Sequence, residues 1–186
     1  MFNTAAASIN TVIAFNEPSD IILLISAIKD GDLNTAKAFL ESNPNLNLDQ
    51  CDNEGMNALM IAAQKGHTEI VQLLLANGAN IEAYGEYGTT ALMLAAQNGD
   101  TDMVQLLLKN DANINAQNKY QWTALMIAAN NGHNETVKLL LAQGAKTEAQ
   151  SKSGRTVLMA ASLKGNTPMV QLLLENGANI NAQNKN

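Results

Sequence analysis

The 186-residue chain carries 17 acidic and 11 basic side chains, a net charge of −6 and a pI near 4.8, so generic attraction to nucleic acid or to an anionic membrane is not expected. Aromatic residues make up only 4%, which suits thin helices packed through small side chains rather than a globular core built on large rings. The single cysteine, Cys51, excludes an intramolecular disulfide framework and a cysteine-cluster zinc site.

The charge is unevenly placed. Residues 1–102 hold 13 acidic and 3 basic side chains, whereas residues 103–186 hold 4 acidic and 8 basic. Such a gradient orients a partner of complementary charge, or two copies head to tail. No Lys or Arg precedes Lys29, so the N-terminal stretch lacks the basic region of a secretory signal. The longest aliphatic run, Ile21 to Ile25, is far too short to span a bilayer. A cytoplasmic location and no membrane partner are expected.

In chain order, residues 1–18 fit no repeat; Ala5, Ile9, Val12 and Ile13 lie at helical spacing, consistent with a short helix ending before Pro18 or with disorder. Residues 19–51 read as a divergent first unit and N-terminal cap of the stack. Ser19 or Asp20 caps a helix through Ile28, and a second helix covers about Asn34 to Glu41. Four regular units follow, over residues 52–84, 85–117, 118–150 and 151–183, with a tail at 184–186. Their registration is set by Leu59, Leu92, Leu125 and Leu158, each 33 residues apart, and a fixed period of this size marks a stacked repeat protein.

Each unit repeats one physical layout. Asn57, Thr90, Thr123 and Thr156 are placed to cap a first helix. That helix runs to Gly66, Gly99, Gly132 and Gly165, which suit a left-handed terminating residue. The second helix carries three adjacent leucines (Leu73-Leu74-Leu75 and its equivalents), too wide an arc for one buried stripe, so it must be contacted on two sides. Pro168 falls at the start of the last second helix, where proline is tolerated. A glycine turn at Gly78, Gly144 and Gly177 ends the unit; Asp111 takes that place once, and Asp tolerates the left-handed region better than most residues. The fold class is an all-α repeat solenoid, helix-turn-helix units stacked and joined by β-turn or hairpin loops.

These stretches resemble the ankyrin repeat. Thr123-Ala124-Leu125-Met126, Ala128-Ala129, Gly132-His133, Leu139-Leu140-Leu141 and Gly177-Ala178-Asn179-Ile180-Asn181-Ala182 match the family's Thr-Pro-Leu-His, Ala-Ala, Gly-His, leucine-rich helix and Gly-Ala-Asp-Val-Asn-Ala. The resemblance covers about residues 20–183. Ala or Val replaces the family's proline, and Met60, Met93, Met126 and Met159 replace its histidine. Apolar Met packing must then stand in for that histidine's hydrogen bonds.

Nothing in the pattern carries chemistry. His67 and His133 occupy one repeat position, which argues a structural turn role; no cluster has metal-ligand spacing. Gly85-Glu86-Tyr87-Gly88 is a repeat turn rather than a phosphate loop. No catalytic residue, cofactor or metal is assigned, and the protein is read as non-enzymatic.

The aromatics point to binding. Tyr84, Tyr87, Tyr120 and Trp122 all fall in inter-repeat turns, and Tyr and Trp are the side chains most enriched at interface hot spots. The resemblance implies a concave groove, built from turn tips and the exposed side of the first helices, that binds protein. Tyr87 and Tyr120, 33 apart, should stand side by side; on an extended turn, Trp122 should share a side with Tyr120. The proposed partner-binding set is Tyr84, Glu86, Tyr87, Thr89, Lys119, Tyr120, Trp122, Asn130, Asn131, Lys152 and Arg155. An unidentified protein partner is the first expectation. The alternative is weak homodimerisation through an apolar face of the last unit, which keeps Val170, Leu172, Leu173 and Leu174. The Ala-Leu-Met variants and Asn-rich turns also resemble ankyrin proteins of microbes, which implies a third reading as a secreted effector that binds a host protein.

Overall fold

The computed structural model describes residues 18–184; the helix expected before Pro18 lies outside them. The described residues form ten helices in pairs: α1 (Pro18–Asp30) with α2 (Leu33–Ser42), α3 (Ala58–Lys65) with α4 (Thr68–Ala76), α5 (Ala91–Asn98) with α6 (Thr101–Lys109), α7 (Ala124–Asn131) with α8 (Asn134–Ala142), and α9 (Val157–Leu163) with α10 (Thr167–Glu175). The first helices of the pairs form one layer, each against the next, and the second helices form a looser outer layer. Among the described residues there is no strand, only an isolated antiparallel bridge between Tyr84 and Thr90.

The capping expectation holds at all four regular units. The side-chain oxygens of Asn57, Thr90, Thr123 and Thr156 accept the backbone N–H of Met60, Met93, Met126 and Met159, satisfying one orphan donor of each first helix. Two helix boundaries differ from the sequence reading. Helix α1 opens at Pro18 and continues to Asp30, so Asp20 lies in its first turn rather than capping it; proline's fixed φ and missing N–H suit the first helical position. Helix α9 stops at Leu163 with Lys164 as its cap, one residue short of the pattern in the other units, although Gly165 remains left-handed.

Small residues let the first helices approach closely. Ala62, Ala63, Ala95, Ala96, Ala128, Ala129, Ala160 and Ala161 are fully buried, and Met60, Met93 and Met126 are almost so. The leucine triplets behave as a two-sided stack requires: Leu74, Leu107, Leu140 and Leu173 are completely buried, and flanking residues such as Leu73, Leu75, Leu106 and Leu108 are half-buried against the same core. Each buried leucine contributes roughly 1.5–3 kcal/mol relative to exposure, alongside Ile70, Val71, Met103, Val104, Val137 and Met169, which are buried on the same helices.

Polar ladders fix the register between units. The backbone N–H groups of Asn80, Asn113, Lys146 and Asn179 donate to side-chain oxygens of Asp49, Glu82, Asn115 and Glu148 in the preceding unit, at 2.7–3.0 Å. The histidines also bridge units. In its Nε2–H tautomer, His133 donates to the Gln97 carbonyl across 2.9 Å, and its ring lies so close to Gly99 that a Cβ there would sit 2.5 Å from Nδ1. His67 packs in the same way over Gly31. The turn role expected for these residues is therefore an inter-repeat contact.

Candidate functional site

Four fingers project between the units, each closed by the same backbone geometry. The N–H of Asp52, Gly85, Asn118 and Ser151 donates to the carbonyl of Met56, Thr89, Trp122 and Arg155, at 2.8–3.1 Å. The N–H of Gly55, Gly88, Gln121 and Gly154 donates back to the opening residue's carbonyl, at 2.8–3.0 Å. In three fingers the opening side chain supports the turn: Asp52 Oδ1 accepts from Glu54 and Met56, Asn118 Oδ1 accepts from Tyr120 and Trp122, and Ser151 Oγ accepts from Arg155. Gly85 has no side chain to offer, and there the bridge between Tyr84 and Thr90 extends the hairpin instead.

The fourth finger position needs a left-handed backbone. Glycine supplies it at Gly55, Gly88 and Gly154, with φ of +72°, +70° and +80°, whereas the third regular unit places Gln121 there at φ +61°. This outlier sits directly between Tyr120 and Trp122. It also corrects the sequence reading of that finger. The backbone turns at Gln121 rather than running extended, so the two-residue alternation that put Tyr120 and Trp122 on one side does not apply. Tyr120 is 53% exposed, whereas Trp122 is half-buried against the core.

Neighbouring fingers are stitched tip to tip. The N–H of Lys119 donates to the Tyr87 carbonyl at 2.9 Å, and that of Lys152 to the Tyr120 carbonyl at 3.0 Å. Because the stitch repeats with the 33-residue period, equivalent side chains line up in rows. Tyr87 and Tyr120 stack with ring centroids 6.3 Å apart and planes 22° from parallel, as their spacing predicts. Thr89, Trp122 and Arg155 form the row below, and the Arg155 guanidinium lies 6.0 Å from the Trp122 ring centroid, within reach of a cation–π contact worth about 0.5–1 kcal/mol at an exposed site. Glu86, Lys119 and Lys152 make a further exposed row, changing sign along the stack.

The remaining residues of the proposed set sit apart from this cluster. Tyr84 is at the base of its finger, 68% exposed. Asn130 and Asn131 close the far end of α7, roughly 10 Å along the helix axis from the finger that enters at Thr123.

The acidic end of the finger row is tied to the first unit. Lys29 Nζ lies 3.1 Å from Asp52 Oδ2 and 3.8 Å from Glu54 Oε1. Burial raises the Asp52 carboxyl, but N–H bonds from Met56 and Glu54 and the ammonium of Lys29 outweigh it, leaving the group below the ordinary 3.8. Cys51 is pushed the other way by burial and by the charges of Asp52 and Asp49, which keeps the thiol protonated and a poor nucleophile. Among the described residues no group of three or more His, Cys, Asp or Glu side chains is placed to hold a metal ion, and no helix is long and apolar enough to cross a membrane.

Comparison with known proteins agrees with this geometry. A family model for ankyrin repeats (3 copies) matches residues 23–118 and 110–184. Human M-phase phosphoprotein 8 is 42% identical over 64 residues, which is 34% of this chain and 7% of that protein. The E3 ubiquitin-protein ligase XBAT33 of Arabidopsis thaliana is 48% identical over 61 residues, 32% of this chain and 12% of that protein. The probable E3 ubiquitin-protein ligase XBOS32 of Oryza sativa subsp. japonica is 47% identical over 58 residues, 31% and 12% respectively. The chain thus spans only about a tenth of these relatives. With the family model running through the paired helices and the fingers alike, the chain belongs to the ankyrin-repeat family.

Proposed function

We propose that this protein is a non-enzymatic binding module whose fingers, centred on Tyr87, Tyr120 and Trp122, engage a partner protein. Ankyrin repeats generally mediate protein–protein interaction, so the family supports binding as the class of function. The observation that carries the location is the Tyr87–Tyr120 stack: two rings, 54% and 53% exposed, held against each other at the finger tips. Large amphipathic rings fixed before the partner arrives lose little side-chain freedom on binding, which is what a hot spot requires. Glu86, Thr89, Lys119, Lys152 and Arg155 supply the polar surround, with Tyr84, Asn130 and Asn131 at the margins of the surface.

The test is capture from cell lysate by wild type and by Tyr87→Ala/Tyr120→Ala, with circular dichroism required to match. Both tyrosines are exposed, so this pair is a cleaner probe than any variant including the half-buried Trp122. A protein captured by wild type and lost from the folded variant supports the reading. Equal capture by both contradicts it.

A second reading rests on a separate surface. On the last unit Leu163 is 70%, Ile180 71% and Leu174 38% exposed, around an open groove of about 480 Å³ that Leu158, Met159 and Val170 help to line. The occupant proposed for it is a second copy of this chain. Its exposed Ile22 and Leu23 on α1 are apolar, and its acidic half complements the basic half that carries the groove. Light scattering over a hundredfold concentration range tests it: a mass rising with concentration, and held down by Leu163→Lys, supports self-association, whereas a constant monomer mass overturns it.

A further inference from the structure

We infer that the fingers take an extended, acidic segment of a partner protein, with an apolar side chain seated on the Tyr87–Tyr120 stack and carboxylates on Lys119 and Lys152. The inference rests on the aromatic-finger reading above and deepens it by naming the partner's chemistry.

The charge pattern on the finger row is the first support. At the N-terminal end, Asp52 and Glu54 share Lys29. At the other end no such compensation exists: among the described residues no carboxylate lies within 4.0 Å of Lys119, Lys152 or Arg155. Three cations thus sit beside an exposed aromatic pair without counter-charges, in a protein whose overall charge is −6. Uncompensated charge of one sign attracts the opposite sign and rejects its own, giving specificity and fast encounter. The net negative charge of the whole chain works against nucleic acid as the source of that opposite charge, because a polyanion must approach the acidic first half as well.

Spacing is the second support. Lys119 and Lys152 are equivalent residues of adjacent units, joined through the tip bond from Lys152 N–H to the Tyr120 carbonyl, and units stack at about the 8–10 Å separation of packed helices. An extended peptide advances about 3.3 Å per residue, so acids two or three residues apart meet both lysines. Arg155 is spoken for in part by Trp122, which leaves the two lysines as the free anchors. The row also has a direction. Glu86 shares a finger with Tyr87, Lys119 shares the next finger with Tyr120, and Lys152 lies one finger beyond the pair, so the partner's acidic end lies toward the C-terminal units and its opposite end is neutral or basic.

Panning a displayed random dodecapeptide library on the intact protein tests this. On wild type, the selected peptides should be enriched at least threefold in Asp and Glu, next to an aromatic or aliphatic residue. On Lys119→Glu/Lys152→Glu, whose backbone roles are unchanged, enrichment should switch to Lys and Arg. A selected acidic peptide, resynthesised with a fluorophore, should bind wild type at least tenfold more weakly in 500 mM than in 50 mM salt. The inference is overturned if no peptide is selected, if the selected peptides show no acidic enrichment, or if a single-stranded oligonucleotide binds more tightly than the peptide. Neutral or basic peptides that still require Tyr87 and Tyr120 would sink the acidic-partner inference and leave the finger reading intact. Peptides indifferent to Tyr87→Ala/Tyr120→Ala would sink the finger reading itself.

Discussion

Three residues break the register of their repeat positions, and each has a measurable cost. Asn57 is 1% exposed and caps α3 with its oxygen, yet its Nδ2 is buried without a hydrogen-bond acceptor. The other units solve the position with threonine, whose hydroxyl oxygen caps the helix and which carries no amide NH2. An unsatisfied buried donor costs about 1–3 kcal/mol, so Asn57→Thr should stabilise the protein by roughly 1 kcal/mol, read as a higher urea midpoint at unchanged slope. Asp111 (φ +66°) and Gln121 (φ +61°) hold left-handed positions that their counterparts fill with glycine. Replacing either by glycine should gain about 0.5–1 kcal/mol, while alanine at either site should lose stability. The Asp111 turn was legible in the sequence as an exception in a glycine row. The Gln121 exception was equally visible, 33 residues after Gly88 and before Gly154, but assuming an extended finger hid its meaning and misplaced Trp122 with it.

At the scale of the elements, units are held in register by side chains that reach the next unit's backbone. Asp49, Glu82, Asn115 and Glu148 are all oxygen acceptors 33 residues apart, a row that becomes meaningful only once the stack shows which backbone N–H each one faces. Glu82→Ala removes the 2.7 Å acceptor of the Asn113 N–H and should cost about 1 kcal/mol, whereas Glu82→Gln keeps a carbonyl oxygen and should cost less than half of that. The helices themselves were readable because capping residue, apolar run and terminating glycine recur together four times; their ends shifted by a residue or two at Pro18 and Leu163, where local turn chemistry decides. Asp52 adds a pH dependence to the first finger. Its folded pKa is depressed, so the stabilisation is present above the ordinary value of 3.8 and is lost as pH falls through the folded value. Asp52→Asn should therefore lower the denaturation midpoint at pH 7, by a margin that narrows as pH falls below 3.8.

Over the described residues the molecule is a quasi-one-dimensional stack, in which each unit packs against its neighbours and exposed surface accumulates along the row of fingers. The architecture was fully legible, since the 33-residue period, the paired helices and the leucine triplets all state it independently. The candidate site was legible in part. Equivalence of Tyr87 and Tyr120 by spacing correctly brought their rings together, and the change of sign from Glu86 to Lys119 to Lys152 could be read from the same register. What spacing did not convey was the hairpin turn at Gln121, the burial of Trp122 and its partnership with Arg155, which depend on side-chain packing across two units.

Trp122 makes binding at the fingers directly measurable, because it is the only tryptophan and lies in the finger beside Tyr120. We would titrate a captured partner, or a peptide selected on the fingers, and follow Trp122 emission alongside calorimetry. Binding at the fingers should give a saturable emission change whose midpoint agrees with the calorimetric Kd, weakened at least tenfold by Tyr87→Ala/Tyr120→Ala, a loss of about 1.4 kcal/mol or more. Calorimetric binding of equal affinity in both proteins, with Trp122 emission unmoved, would contradict the account and place the interface elsewhere on the stack.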